Sequence, residues 1–370
     1  MKIGILTFHS QLNYGGVLQC WALQTALEKL GHEVVVIDRE FEHQIRSYSA
    51  IFARWSIRRW VKFLAKLLLL RPDALRVVRY IKTVQFVREH LNLSTYSFKN
   101  WSDAPKELGV DLIVVGSDQV WNGRWNNLGV YTLDGAPSVP AIGYAISLGM
   151  TVLPQEHMLE YQKAVKRFSA LSVREKEAQL LLSQIGADAK HVADPTLLVD
   201  WNEFRVSAKS GLVCYLIGHE NLTADVLRRF EDFSRNNRVA VHVLLQNYGV
   251  RIHPSKNVAV HYCAGPKEFC RLIASAKYVV SDSFHALMFS CVFDKNVRII
   301  HPKATARAAM FSRIEEFARN YIVGGCVSDS IAAALESFLN DRKPVVARDK
   351  LDGFISESRT WLCDSVKEAK

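Results

Sequence analysis

The sequence predicts an α/β protein built from two open-sheet domains. Three observations point there. Apolar runs of strand length, as at residues 2–8, 112–115 and 278–280, alternate with helical patterns; several of these runs end in short polar or glycine-bearing turns; and 370 residues exceed what one core of ordinary size needs. Near-continuous apolar strands of this kind suit parallel sheets covered on both faces. An apolar fraction of 49% supplies both cores, and 23% charged residues carry no signature of disorder.

The first unit is strand 2–8, the turn HSQLNYGGVLQ, a helix to about residue 30, and strand 33–38. Gly15 and Gly16 allow close backbone approach where the helix begins. Their surroundings are not GxGxxG, which removes a dinucleotide fingerprint and leaves a ligand-cradling turn or a plain tight turn. Residues 54–88 then hold ten Lys and Arg against Asp73 alone, nine of the ten net positive charges of the chain. Arg54, Arg58, Lys62 and Lys66 repeat every four residues, with Ile57, Trp60, Val61, Leu64 and Leu68 on another side. This reads as a basic amphipathic helix ended near Pro72, with Trp55 and Trp60 suited to an interface. Docking on an anionic membrane, a solvated helical hairpin and a subunit contact are the alternatives. No nucleic-acid module accompanies the charge, so nucleic acid is not expected.

The sheet resumes at 112–115 and runs into Gly116-Ser117-Asp118-Gln119, where Asp118 either holds a substrate hydroxyl or closes an Asx turn. A strand over 140–147, a helix over 155–168 and a short strand deliver Arg174, whose planar fork suits a carboxylate or phosphate; a surface salt bridge is the plainer alternative. The first domain spans 1–200 with the basic insertion at about 50–92, and the hinge falls at 199–206, where Trp201 packs. The second domain spans 207–345, and 346–370 forms a C-terminal helix or tail.

Within the second domain the stretch YVVSDSFHALMFSCVF turns from strand to helix around one imidazole, His285. Ser281, Asp282 and Ser283 offer capping oxygens, Ser283 and Asp282 above all. The helix N-terminus suits an anion, and a histidine there can move protons near neutral pH. A packed first-turn histidine is the plainer reading. A strand over 297–300 and helices over 308–318 and 328–339 follow, the first of these helices carrying Arg313.

Seven cysteines without CxxC spacing fit a reducing compartment, with Cys20, Cys214 and Cys291 as core residues and no metal-ligand pattern. The start MKIGILTF lacks a signal-peptide layout, and the apolar stretch 63–70 is too short to span a bilayer. A cytoplasmic protein, free or resting on the inner face of the plasma membrane, is expected.

In order along the chain, Asn13-Tyr14-Gly15-Gly16-Val17-Leu18-Gln19, Gly116-Ser117-Asp118-Gln119-Val120-Trp121-Asn122, Ser172-Val173-Arg174-Glu175, Asp194-Pro195-Thr196 and Ser281-Asp282-Ser283-Phe284-His285 resemble the polysaccharide pyruvyl transferase family. The resemblance covers roughly residues 1–320. It implies two Rossmann-like domains in a GT-B-like arrangement with the active cleft between them. It also implies transfer of the pyruvyl group of phosphoenolpyruvate, as co-substrate, onto two hydroxyls of a sugar to form a cyclic ketal in surface polysaccharide or capsule synthesis. His285, with Asp282, would be the acid/base; Arg174 and helix N-terminal amides would hold the anion; Asp118, Asn13 and Gln19 would meet the acceptor sugar; and Gly15, Gly16, Ser117 and Ser283 would bind substrate. Sugar-pyruvylating relatives often carry Arg-Leu-His where this chain reads Ser283-Phe284-His285. Arg174, Arg307 and Arg313 are the candidates to supply the missing cation. The expected partner is a sugar acceptor, carried or not on a lipid pyrophosphate, with no metal or further cofactor; a homo-oligomer is open. A nucleotide-sugar glycosyltransferase of the same fold and a non-catalytic scaffold of glycan assembly are the rival readings.

Overall fold

A computed structural model describes residues 1–370 apart from 11, 40–55, 70–71, 125–126, 207–209, 219–221, 246–254, 302–307, 341–342 and 370. Arg54, Trp55, Arg71 and Arg307 therefore lie outside the described residues. The apolar runs assemble into two parallel sheets. The first has the order β3-β2-β1-β4-β5-β6-β7, from β1 (Lys2–Leu6), β2 (Glu33–Arg39), β3 (Leu93–Phe98), β4 (Leu112–Val115), β5 (Ala141–Ile146), β6 (Ala170–Val173) and β7 (Ala189–His191). The second has the order β10-β9-β8-β11-β12-β14, from β8 (Leu212–Leu216), β9 (Val241–Leu245), β10 (Val258–His261), β11 (Tyr278–Ser281), β12 (Asn296–Ile300) and β14 (Val327–Ser328). A small antiparallel pair joins β13 (Ile322–Val323) to β15 (Val345–Val346).

Both sheets run outward in two directions from a central pair, β1 beside β4 and β8 beside β11. At such a switch point the two following turns diverge to opposite faces and leave a crevice at the strand carboxyl ends. Leu6 pairs with Val115 and Tyr215 with Ser281, so the NYGG and GSD turns share one crevice and the SDSFH turn lies in the other.

The helices of the first part are α1 (Tyr14–Lys29), α2 (Ile57–Leu68), α3 (Pro72–His90), α4 (Leu128–Tyr131), α5 (Met158–Arg167) and α6 (Lys176–Ser183). Those of the second part are α7 (Ala224–Asn237), α8 (Pro266–Ser275), α9 (Phe284–Val292), α10 (Ala308–Tyr321), α11 (Ile331–Leu339) and α12 (Arg348–Glu368). The last of these crosses back to the first domain. Ser358 Oγ accepts from Ala193 N at 2.8 Å, Arg359 donates to Leu198 O at 2.7 Å, and Trp361 meets the Tyr144 ring.

One apolar cluster is continuous across both domains. Trp201 is wedged at the crossing, its ring edge-on to Trp21 and Phe289 and its Nε1 donating to Thr196 O. Cys20, Cys214 and Cys291 are buried in the core.

The basic amphipathic helix ends at Leu68, near Pro72 as expected, and Pro72 opens α3, because its locked φ suits a first helical turn. Arg79, counted among the surface cations, is fully buried: it donates to Leu12 O at 2.7 Å and Leu245 O at 2.9 Å and lies over the Tyr14 ring. Lys82 is also drawn inward, to Glu268 of α8. The inner half of the basic arm thus joins the domains, leaving α2 as its exposed cationic portion.

Candidate active site

The first-domain rim is built by α1. Asn13 caps it, its Oδ1 accepting from Gly15 N at 3.0 Å. Gln19, one turn in, is fully buried; its Nε2 donates to Thr7 Oγ1, Phe8 O and Gly16 O, and its Oε1 accepts from Ser117 N and Ser117 Oγ. Gln19, expected to meet the acceptor sugar, and Ser117, expected to bind substrate, clasp the ends of β1 and β4 to each other. Gln19 sits too deep in the fold to face a ligand.

Asp118 follows with φ of 71°, in the left-handed region. For a residue with a Cβ this costs about 1 to 3 kcal/mol and re-aims the side chain. Its carboxylate accepts from Arg174 Nη2 at 2.8 Å, while Asp194 accepts from Arg174 Nη1 at 2.8 Å. Burial alone would lower the Arg174 pKa, but Asp118, Asp194 and Glu175 outweigh it and hold the guanidinium firmly charged. Burial likewise opposes ionisation of Asp118, and Arg174, His285 and Arg313 overcome it, leaving its pKa below the usual range. Arg174 is therefore the hub of a buried carboxylate cluster. Both of its Nη groups already donate to carboxylates, while Nε has no hydrogen-bond partner among the described residues.

Ser283 caps α9 by accepting from Ala286 N, as expected. Asp282 does not cap it: its two oxygens accept from Ile217 N at 2.6 Å and Gly218 N at 2.9 Å, tying the end of β8 to the turn. The carboxylate that approaches the imidazole is Asp194, whose Oδ2 lies 3.7 Å from His285 Nε2. On the other side the ring lies against the first-domain turn, where a Cβ on Gly15 would fall 2.0 Å from His285 Nδ1. The imidazole thus spans the crevice between the domains. Burial pushes its pKa down, offset in part by Asp194 and Asp118, so the neutral ring dominates at pH 7. Its Nε2 has no hydrogen-bond partner among the described residues.

Arg313, from α10, completes the site. It donates to Ser147 Oγ at 3.2 Å, and with the Gln119 amide oxygen turned toward it, Gln119 accepts from both Nη atoms at 2.8 and 2.9 Å. Arg174 and Arg313 both lie over the Phe284 ring. Burial and the neighbouring Arg174 lower the Arg313 pKa to about 10, so it is cationic at pH 7, with no carboxylate in hydrogen-bond contact among the described residues. Glu175 accepts from Ser147 Oγ and Leu148 N through Oε1, and its Oε2 lies 3.8 Å from Arg174 Nε with no hydrogen bond among the described residues.

Asp194, Glu175, Phe284 and Gln119 are site neighbours that the sequence reading quoted in motifs but did not select. The Asp-Pro-Thr motif was the usable signal for Asp194, since its Oδ1 also caps the following turn through Thr196 N and Oγ1. Among the described residues no group of three or more His, Cys, Asp or Glu is arranged to hold a metal ion.

Two doubly wound domains whose switch-point turns converge on one imidazole define a GT-B-like protein. The UDP-GlcNAc 2-epimerase of Neisseria meningitidis, solved bound to UDP-GlcNAc, shares this fold at 10% identity, with 100% of both chains covered and a TM-score of 0.53. The putative UDP-N-acetylglucosamine 2-epimerase of Listeria monocytogenes does so at 12% identity, over 99% of this chain and 95% of that one, with a TM-score of 0.55. The chain belongs to the polysaccharide pyruvyl transferase family, whose description matches residues 13–301. That membership makes it a transferase of polysaccharide biosynthesis. No curated protein matches the sequence.

Proposed function

We propose that the protein transfers the pyruvyl group of phosphoenolpyruvate onto two hydroxyls of a sugar, closing a cyclic ketal and releasing phosphate. One hydroxyl oxygen adds to the central carbon of the enolpyruvate while its terminal carbon gains a proton; a second hydroxyl then displaces phosphate from the same carbon. The chemistry needs a proton carrier and a cation for the anionic donor. The observation that carries the reading is His285: a buried neutral imidazole with an unpartnered Nε2, near Asp194 at the junction of the domains. A positioned histidine contributes about 10² to 10⁴-fold. Arg313, with the N-terminal amides of α9, supports the donor's carboxylate or phosphate. Asp118 and Asn13 stand on the acceptor side, and the acceptor is a sugar of a surface polysaccharide.

The test is thermal stabilisation and phosphate release with phosphoenolpyruvate, beside phosphate, pyruvate and uridine diphosphate as ligands. Binding to the native state raises the melting point by mass action. Phosphoenolpyruvate is expected to stabilise the wild type selectively, Arg313→Gln to lose that stabilisation, and His285→Asn to keep it while releasing phosphate about 10² to 10⁴-fold more slowly. Arg174→Ala is the wrong probe, since it leaves Asp118 and Asp194 buried without their cation and destabilises by about 3 to 5 kcal/mol. Stabilisation by uridine diphosphate alone, or full phosphate release by His285→Asn, would overturn the reading.

A further inference from the structure

Helix α2 buries none of its twelve residues, yet it is strongly two-sided. At 100° per residue Ile57, Val61, Leu64 and Leu68 fall within one narrow stripe, while Arg58, Arg59, Lys62 and Lys66 occupy the opposite side. The stripe is open: Ile57 is 84% exposed, Val61 59%, Leu64 55% and Leu68 85%. Phe63 and Leu67 are only half-buried. An apolar stripe of this kind on an otherwise exposed helix marks an interaction surface.

We propose that α2 docks this protein on an anionic membrane surface, its apolar stripe entering the acyl boundary and its cationic side, with Arg58, Arg59 and Lys62, meeting acidic headgroups. The charge decides the occupant. No acidic residue lies in the helix to pair with a basic partner, and the cations complement a negatively charged leaflet. Twelve residues span about 18 Å as a helix, too short to cross a bilayer, so α2 lies in the interface plane. The position suits a transferase whose acceptor is held at a surface. Helix α3 packs against α2 and is anchored by Arg79 to Leu12 O, before α1, and to Leu245 O, at the end of β9, so α2 is held next to a helix that touches both domains. The inference stands on α2 itself and does not depend on pyruvyl transfer.

The full chain is sedimented with phosphatidylcholine vesicles, with and without phosphatidylglycerol. Wild type is expected to bind only the phosphatidylglycerol vesicles and to be released by high salt. Arg58→Glu with Lys62→Glu and Lys66→Glu is expected to lower partitioning by at least about a hundredfold, from about fivefold per cation. Leu64→Asp with Leu68→Asp is expected to abolish binding. Both variants should melt with the wild type, because α2 contributes no buried side chain. Wild type that ignores the acidic vesicles, or variants that bind as well as wild type, would overturn the inference. So would a concentration-dependent dimer in sedimentation velocity, dispersed by Leu64→Asp with Leu68→Asp in protein that binds no vesicles; a second copy would then cover the stripe.

Discussion

His285 and Gly15 show how strongly single residues are coupled across the crevice. A glycine has no Cβ, and here that absence makes room for an imidazole from the other domain. The ring cannot withdraw easily, since it is held on the first turn of a helix whose neighbouring side chains are buried. Gly15→Ala should therefore overpack the junction, lowering stability by about 1 to 3 kcal/mol and displacing the ring. Thermal melting and phosphate release would both fall; a variant that kept wild-type values of each would mean that the ring is free to move. The same scale governs Arg174, whose ion pairs are buried and not at the surface. A strand-end arginine in a motif looks like a ligand group, and nothing local to Ser172-Val173-Arg174-Glu175 reveals that Asp118 and Asp194, distant in sequence, occupy its fork.

Among the elements, strands with continuous apolar runs were legible and strands of mixed pattern were not. β3 reads LSTYSF and is half exposed at the edge of its sheet, so polar residues interrupt the signal. β7 has three residues and also lies at an edge. This short strand brings His191 against Phe354 of α12. Burial, aided by Lys176, lowers the His191 pKa from 6.5 to about 4. The unfolded chain therefore takes up a proton before the folded one does. His191 stabilises the fold fully above pH 6.5, and that contribution is lost as the pH falls toward 4. Burial lowers the pKa of His242, His261 and His285 as well, and these act in the same direction. His191→Leu should flatten the slope of stability against pH in this window by up to about 1.4 kcal/mol per pH unit. Denaturant unfolding at a series of pH values measures it, and an unchanged slope would remove His191 as a contributor.

Over the whole molecule, the joining of the domains rests on groups that no local pattern reveals. Tyr14 Oη donates to Ala264 O at 2.9 Å and its ring stacks on Phe269, while Arg79 crosses from α3 to both sides. Hydrogen bonds from a charged group contribute about 1.5 to 3 kcal/mol each. Arg79→Met should thus destabilise by on the order of 3 kcal/mol and lower the midpoint of urea unfolding. A midpoint equal to that of the wild type would show that the apolar cluster alone holds the domains. The sequence by itself determined the two α/β units, the turns at the strand ends, the Ser283 cap and the segregated faces of α2, because each follows from local periodicity or from a residue's bond to its near neighbours in the chain. Only the tertiary structure decided that Asp194 approaches His285, that Arg174 is paired with Asp118 and Asp194, that Arg313 donates to Gln119 and Ser147, and that Arg79 is buried. Those outcomes depend on which strand ends lie side by side and which helix crosses the crevice, and such pairings join residues far apart in the chain.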